Sequence, residues 1–192
     1  MQGVTISGVE VTAYVEQQLD ERHPIRTLLR PSDPDGMRRA WAAVREMAEA
    51  TLERARRLPA EKLDQSVDHE WSYLQTLRHL SYATDRWISG PVLAEPQWTH
   101  PLDMPNPPHD ELPPDVFDID ARPSLDEVLA ARRERVDRVT RVLATVTEEE
   151  LAREVESPNG GTISVARCIQ VVFREEWWHD QYANRDVKIL ER

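Results

Sequence analysis

A single cysteine, Cys168, excludes an internal disulfide and fits a reducing, cytoplasmic setting. No apolar run approaches the ~18 residues that a membrane-spanning helix requires. The opening "MQGVTISGVEV" lacks the basic stretch and apolar core of a secretory signal. Basic residues are outnumbered, 24 against 35 acidic ones, and form no cluster. The resulting net charge of −11 argues against nucleic acid and anionic membranes as partners. Internal repeats are absent, and strand-like alternation is confined to the first dozen residues, a short arm over residues 1–11. What remains is the composition of a globular chain, 40% hydrophobic and 31% charged. Its 192 residues suit one domain with a substantial core.

Turn and breaker residues cut the chain into helical blocks. A first helix runs from about Gly8 to the stop at Pro24, and a second from about Asp35 to Leu58, before Pro59. In the second, Trp41, Val44, Met47, Leu52 and Ala55 recur at three- and four-residue spacings, which places them on one face. A third helix, "EWSYLQTLRHLSYATDRWIS", ends at Gly90 and Pro91. A fourth opens at Ser124 with a capping box to Glu127. The last and longest, "TISVARCIQVVFREEWWHDQYANRDVKILE", follows the turn "SPNGG". Residues 94–123 are too rich in proline for a regular helix, yet Trp98, Leu102, Met104 and Phe117 can anchor them as a crossover. The expected architecture is an all-α four-helix bundle with one long connection.

The last helix poses a problem. With His179 at zero and about 100° per residue, Cys168, Val172 and Leu190 fall close to zero, and Val171, Trp178 and Ile189 on one flank. Glu175, at about −40°, and Asp186, at about −20°, lie inside this apolar arc, with Glu176 near its edge. Gln170, Arg174, Gln181, Asn184 and Lys188 take the opposite side, expected to face water. Buried carboxylates cost several kcal/mol unless paired or bound to a cation. Two arrangements meet that demand. Glu175 and His179, one turn apart, can pair with each other or with Arg86 or Arg78. Alternatively, they project together as ligands of a metal in the bundle centre.

His79 is the candidate partner from the third helix, on a polar strip with Ser72, Gln75, Thr76 and Arg86 that either meets solvent or lines a pocket. His23, His69, His100 and His109 sit at turns or in the proline-rich segment, where exposure is expected. Cys168 reads as a packing residue. Trp177 stands on the polar side of its helix, so a loop (residues 94–123 being the candidate) or a second copy in a homodimer is expected to cover it.

Taken together, "EWSYLQTLRHLSYATDRWISGPVL" and "EEWWHDQYANRDVKILE" resemble the DinB-like (DinB_2) superfamily, which includes mycothiol- and bacillithiol-dependent transferases and isomerases. The lead-in "GVEVTAYVEQQLDERHPIRTLLRP" looks like that of actinobacterial members often fused to pentapeptide repeats, although this chain has none. The resemblance implies an up-down-down-up four-helix bundle with a metal pocket at one end, ligated by one histidine of the second bundle helix and a His-x-x-x-His pair of the last. The motifs match His79 and His179 to two of these positions. The third falls on Ala183, which cannot ligate, so Glu175 is the expected replacement. The glutamate usual one turn before the first histidine is Gln75 here. Glu176, Asp186, Arg86 and Tyr182 complete the expected pocket surroundings. Zinc or nickel, bound weakly, and mycothiol as cosubstrate are the implied cofactors, and a small molecule the implied ligand. Two functions follow: a metal-dependent, thiol-using transferase or isomerase, or a non-catalytic binding protein that has lost the metal. The acidic residues of the crossover, among them Asp103, Asp110, Glu111, Asp115, Asp118 and Asp120, would make a lid that disfavours anions.

Overall fold

Each long helix begins where a short polar side chain accepts from its exposed backbone amides. The structure, a computed structural model, describes residues 3–106 and 116–192. A two-residue hairpin (β1, Thr5–Ile6; β2, Val9–Glu10) leads into α1, Thr12–Arg22, so the first helix begins four residues later than its apolar pattern suggests. A 3-10 turn, Pro24–Leu29, follows. Asp33 caps α2, Pro34–Ala55, by accepting from Gly36 N at 2.8 Å. Ser72 and Gln75 form a capping box on α4, Tyr73–Thr84, after the short α3, Ala60–Leu63. The expected box of Ser124 and Glu127 opens α5, Leu125–Thr145. The five-residue α6, Glu148–Ala152, precedes a second hairpin, β3 (Glu154–Glu156) with β4 (Thr162–Ser164). That hairpin is a correction to the helical reading of "TIS". Its turn is "SPNGG", where Gly160 and Gly161 adopt φ of 88° and 74°, a region only glycine enters freely. Finally, Ser164 caps α7, Val165–Leu190.

Side-chain contacts fix the directions of the four long helices. Trp41, early in α2, stacks on Phe173 of α7, while Arg54, late in α2, reaches Asn184 and Glu191; the two run parallel. Arg38 and Trp41 bond Leu143 and Thr140 at the far end of α5, so α2 and α5 are antiparallel. Asp85, just past α4, meets Arg135 and Arg138, whereas Leu74 and Leu77 share a core with Val128 at the start of α5. Helices α4 and α5 are therefore parallel neighbours. The order is up-down-down-up, an all-α bundle. Joining two parallel neighbours requires a connection that runs the length of the bundle, and the proline-rich crossover supplies it.

Two apolar clusters fill the bundle. One gathers Trp41, Val44, Ile88, Phe173 and Trp177; the other gathers Leu52, Leu74, Leu77, Ala183 and Val187. The seam between α4 and α7 passes from one cluster to the other at His79 and residues 175–179.

The crossover is clasped to α4 by Arg78, whose buried guanidinium donates to the carbonyls of Leu102 (2.7 Å), Asp118 (2.5 Å) and Ala121 (3.1 Å). Arg78 thus serves the crossover and is not a partner of Glu175. Met104 is buried, and Trp98 and Phe117 pack about Tyr82 with ring centroids 6.4 and 5.8 Å away. Trp177 is 1% exposed, which corrects its assignment to a polar side. Its cover is the N-terminal segment: His23 meets it edge-on at 5.4 Å and the Arg26 guanidinium lies 5.1 Å from its ring. Residues 94–123 were the expected cover, but their described part lies on α4.

The buried arc of α7 also differs from expectation. Its centre, marked by Ile169, Glu176, Asp180 and Val187, lies roughly 80° from the zero set at His179. Gln170 and Asn184 make contacts with Pro31 and Arg54, and Ile189, placed on the apolar flank, is 42% exposed. Helix α7 packs against α2 and α4 together, so polar residues at its flanks touch protein where a one-faced pattern would expose them.

Candidate metal centre and its cavities

His79 projects from the middle of α4 and is only 3% exposed. Its Nδ1 lies 2.9 Å from the Met104 carbonyl oxygen. A carbonyl can only accept, so Nδ1 carries the proton, and Nε2 turns its lone pair inward whenever the ring is neutral. There it meets Glu175 Oε2 at 3.8 Å, and His179 Nε2 approaches the same oxygen at 3.3 Å. One ligand atom from each of the three residues lies within 4.8 Å of the others. Burial raises the Glu175 pKa, but hydrogen bonding from His179 and His79 outweighs it and brings the carboxyl down to about 2. An ionised oxygen and two imidazole nitrogens therefore share one small volume.

A cation or a shared proton is what makes such a cluster stable, since converging lone pairs repel. Two imidazoles and a carboxylate are a recognised donor set for zinc and also suit nickel. The donors need to close by only about an ångström to reach ordinary ligand bonds of ~2.0–2.2 Å. The residues fit a divalent metal with at least one position left over. Trp71 packs over both histidines, its ring 4.5 Å from that of His79 and 5.8 Å from that of His179, and limits water on that side.

Cavities open on both sides of the cluster. The larger, about 630 Å³, is lined by His79, Glu175, Arg86, Arg167 and Arg174, together with Asn106, Ser157 and Asn159. The smaller, about 300 Å³, lies against His179, Trp71, His69, Thr76 and Tyr182.

The remaining candidates from the sequence go to different places. Arg86 lines the large cavity but does not pair with Glu175; it donates to Tyr82 Oη, Pro158 O and Asn159 Oδ1 at 3.0–3.2 Å. Tyr182 lines the smaller cavity. Gln75 spends its side-chain carbonyl on the Ser72 amide, in the capping box. Glu176 is buried on another side of α7, held by Arg132 Nη2 at 2.5 and 2.6 Å. Asp186 is buried and accepts from Arg185 Nε at 2.7 Å, an arginine partner but one on its own helix. Ala183 is enclosed by the second apolar cluster. Cys168 is fully buried, and burial pushes its thiol up to about 11, as a packing residue requires. His23 is half-buried against Trp177 and His100 half-buried in the crossover, against the expectation of exposure; His69 is exposed. His109, Asp110, Glu111 and Asp115 lie outside the described residues.

Trp71, Arg167, Asn106 and Asn159 were not foreseen as site residues. The tryptophan stands directly before Ser72, the α4 cap, a place from which a large ring can reach the first turns of its helix, and that was the available signal. The others come from a turn, a loop and a helix start, where spacing carries no directional information.

No curated protein and no solved structure matches this chain. The model of the DinB superfamily, DinB_2, matches residues 43–183, which runs from within α2 through most of α7 and includes all three members of the cluster. The chain belongs to the DinB superfamily.

Proposed function

We propose that the protein binds a divalent metal, zinc or nickel, through His79, Glu175 and His179, and uses the adjoining cavities for thiol-dependent transfer or isomerisation of a small molecule. One observation carries the reading: three ligand atoms from two antiparallel helices lie within 4.8 Å, with the His79 tautomer set by Met104. When bound, the metal would lower the pKa of a thiol or water that reaches it. The protein's own residues do the rest. Met104 O holds His79 in orientation, Glu175 supplies the negative charge that a third imidazole would not, and Trp71 keeps the cluster partly dry. The cavity beside His79 and Glu175 receives the substrate, and that beside His179 and Tyr182 admits the thiol, for which mycothiol is the family-implied choice. Cys168 is not the nucleophile.

A non-catalytic small-molecule binder is the second reading. It is favoured by Ala183, where the family's third imidazole is replaced by a buried methyl group. Loading the purified protein with Zn²⁺ or Ni²⁺ and following consumption of a low-molecular-weight thiol by electrophiles separates the two. Metal-dependent turnover that His179→Ala abolishes supports the first; failure to retain either metal, with no turnover for any thiol, supports the second.

A further inference from the structure

The large cavity has a charge that the rest of the protein does not. The chain carries a net charge of −11, yet Arg86, Arg167 and Arg174 stand together on this wall. Among the described residues that line it, Glu175 is the one carboxylate, and it faces the two imidazoles. Among the described residues, none of the three guanidiniums has a carboxylate within 4.0 Å. Arg167 donates to the Gln170 amide oxygen at 3.3 Å, and Arg174 has no hydrogen-bond partner among the described residues. Elsewhere on α5 and α7 arginines are paired: Arg135 and Arg138 with Asp85, Arg132 with Glu176, Arg185 with Glu70 and Asp186.

Arg86 is moreover held in place by neutral acceptors. Tyr82 Oη, Pro158 O and Asn159 Oδ1 take donors from its two terminal nitrogens, which orients the guanidinium without discharging it. Its Nε–H and one further N–H remain available. A guanidinium so fixed is suited to an oxyanion, because its fork matches carboxylate and phosphate oxygens and the ordering entropy is spent before the ligand arrives. Asn106, Ser157 and Asn159 in the lining add neutral hydrogen-bonding groups.

We propose that the cavity walled by Arg86, Arg167 and Arg174 binds the oxyanion group of a small molecule, a carboxylate or phosphate, and so selects anionic substrates for the neighbouring cluster. This rests on the proposed function for its place in a reaction, but the anion site stands on its own residues. It also reverses the expectation from the acidic crossover. Of those acids Asp103 is turned inward, with 1% exposure, and Asp110, Glu111 and Asp115 lie outside the described residues.

The test is calorimetric titration of the metal-free protein with inorganic phosphate, succinate and uncharged succinamide at constant ionic strength. Saturable binding of phosphate or succinate, with no response to succinamide, is the expected result, and the tighter of the two identifies the headgroup. Arg174→Gln and Arg167→Gln, which break no carboxylate pair, should each weaken it at least tenfold with unchanged melting temperature. Binding equal to that of chloride, or binding indifferent to both substitutions, overturns the proposal. His179→Ala separates it from the metal reading, since His179 does not line this cavity: anion binding should persist while metal binding is lost. Metal binding without anion binding would leave the proposed function standing and this inference refuted.

Discussion

Asp85 and Glu175 each bring a carboxylate to an interior seam of the bundle, and their surroundings differ in kind. Asp85 is fully buried and meets fixed donors on every side: Arg135 Nε and Nη2 at 2.8 Å, Arg138 Nη1 at 2.9 Å and Ser89 Oγ at 2.7 Å. Glu175 is partly exposed, meets only imidazole nitrogens that also accept, and opens on a cavity. The first arrangement is complete as it stands and ties the π-turn Asp85–Ser89 to α5. The second lacks a positive partner that the chain itself does not supply. Interior charge alone does not mark a functional site; what marks it is interior charge left without enough donors beside space for a ligand.

Breaking the complete cluster should have the largest effect. Asp85→Ala takes the buried anion from Arg135 and Arg138, leaving them only the more exposed Glu134 and Glu95, and should destabilise the protein by about 3–5 kcal/mol in urea unfolding. The same truncation at Glu175 should cost the metal-free protein clearly less, since it takes a partly exposed carboxylate away from two imidazoles, which can shed their charge, and strands no buried guanidinium. Equal losses at the two positions would erase the distinction.

The crossover clasp comes next. Arg78→Met keeps the aliphatic bulk but strands the carbonyls of Leu102, Asp118 and Ala121, with an expected loss of about 2–3 kcal/mol. Trp98→Ala and Phe117→Ala, at half-buried rings beside Tyr82, should cost less, on the order of 1–2 kcal/mol each. If they instead weaken ligand binding with unchanged stability, the crossover acts as a lid more than as a strap.

A smaller effect is expected from pH. Burial and the nearby Asp85 carboxylate push the Asp103 carboxyl up to about 7 from an ordinary 3.8. A raised folded-state pKa means that the native protein holds the proton more tightly than the unfolded chain. The associated stability is complete below about pH 4 and is lost as pH rises through about 7. Asp103→Asn keeps an acceptor for the His100 amide and should flatten the decline of stability across that window. A wild-type profile that rises from pH 4 to 7 and is unaltered by the substitution would contradict this.

Much of the architecture was legible in the sequence because it is written in caps and breakers. Ser124 with Glu127, Pro59, and Gly90 with Pro91 mark boundaries that depend only on local chemistry, and these stand within a few residues. The pairing of His79 with Glu175 and His179 was accessible for a related reason, since one-turn spacing brings two ligands to one place whatever the helix packs against. The phase of α7 was not. A helix contacted by α2, α4 and the N-terminal segment buries more than one face, so Trp177 and Gln170 read as solvent-facing though both touch protein. The "SPNGG" hairpin was too short for alternation to register. The arginine cavity gathers Arg86, Arg167 and Arg174 from two helices and gains its sign only from carboxylates that are elsewhere, which no local pattern records.

The central claim is that His79, Glu175 and His179 form one metal site, and calorimetric titration with Zn²⁺ and Ni²⁺ addresses it most directly. One ion per chain is expected at about micromolar affinity, near −8 kcal/mol, modest because the third imidazole is absent at Ala183. Glu175→Gln, which preserves shape and removes the charge, should weaken binding more than tenfold. No saturable binding by the wild-type protein, or binding that Glu175→Gln leaves unchanged, would contradict the account.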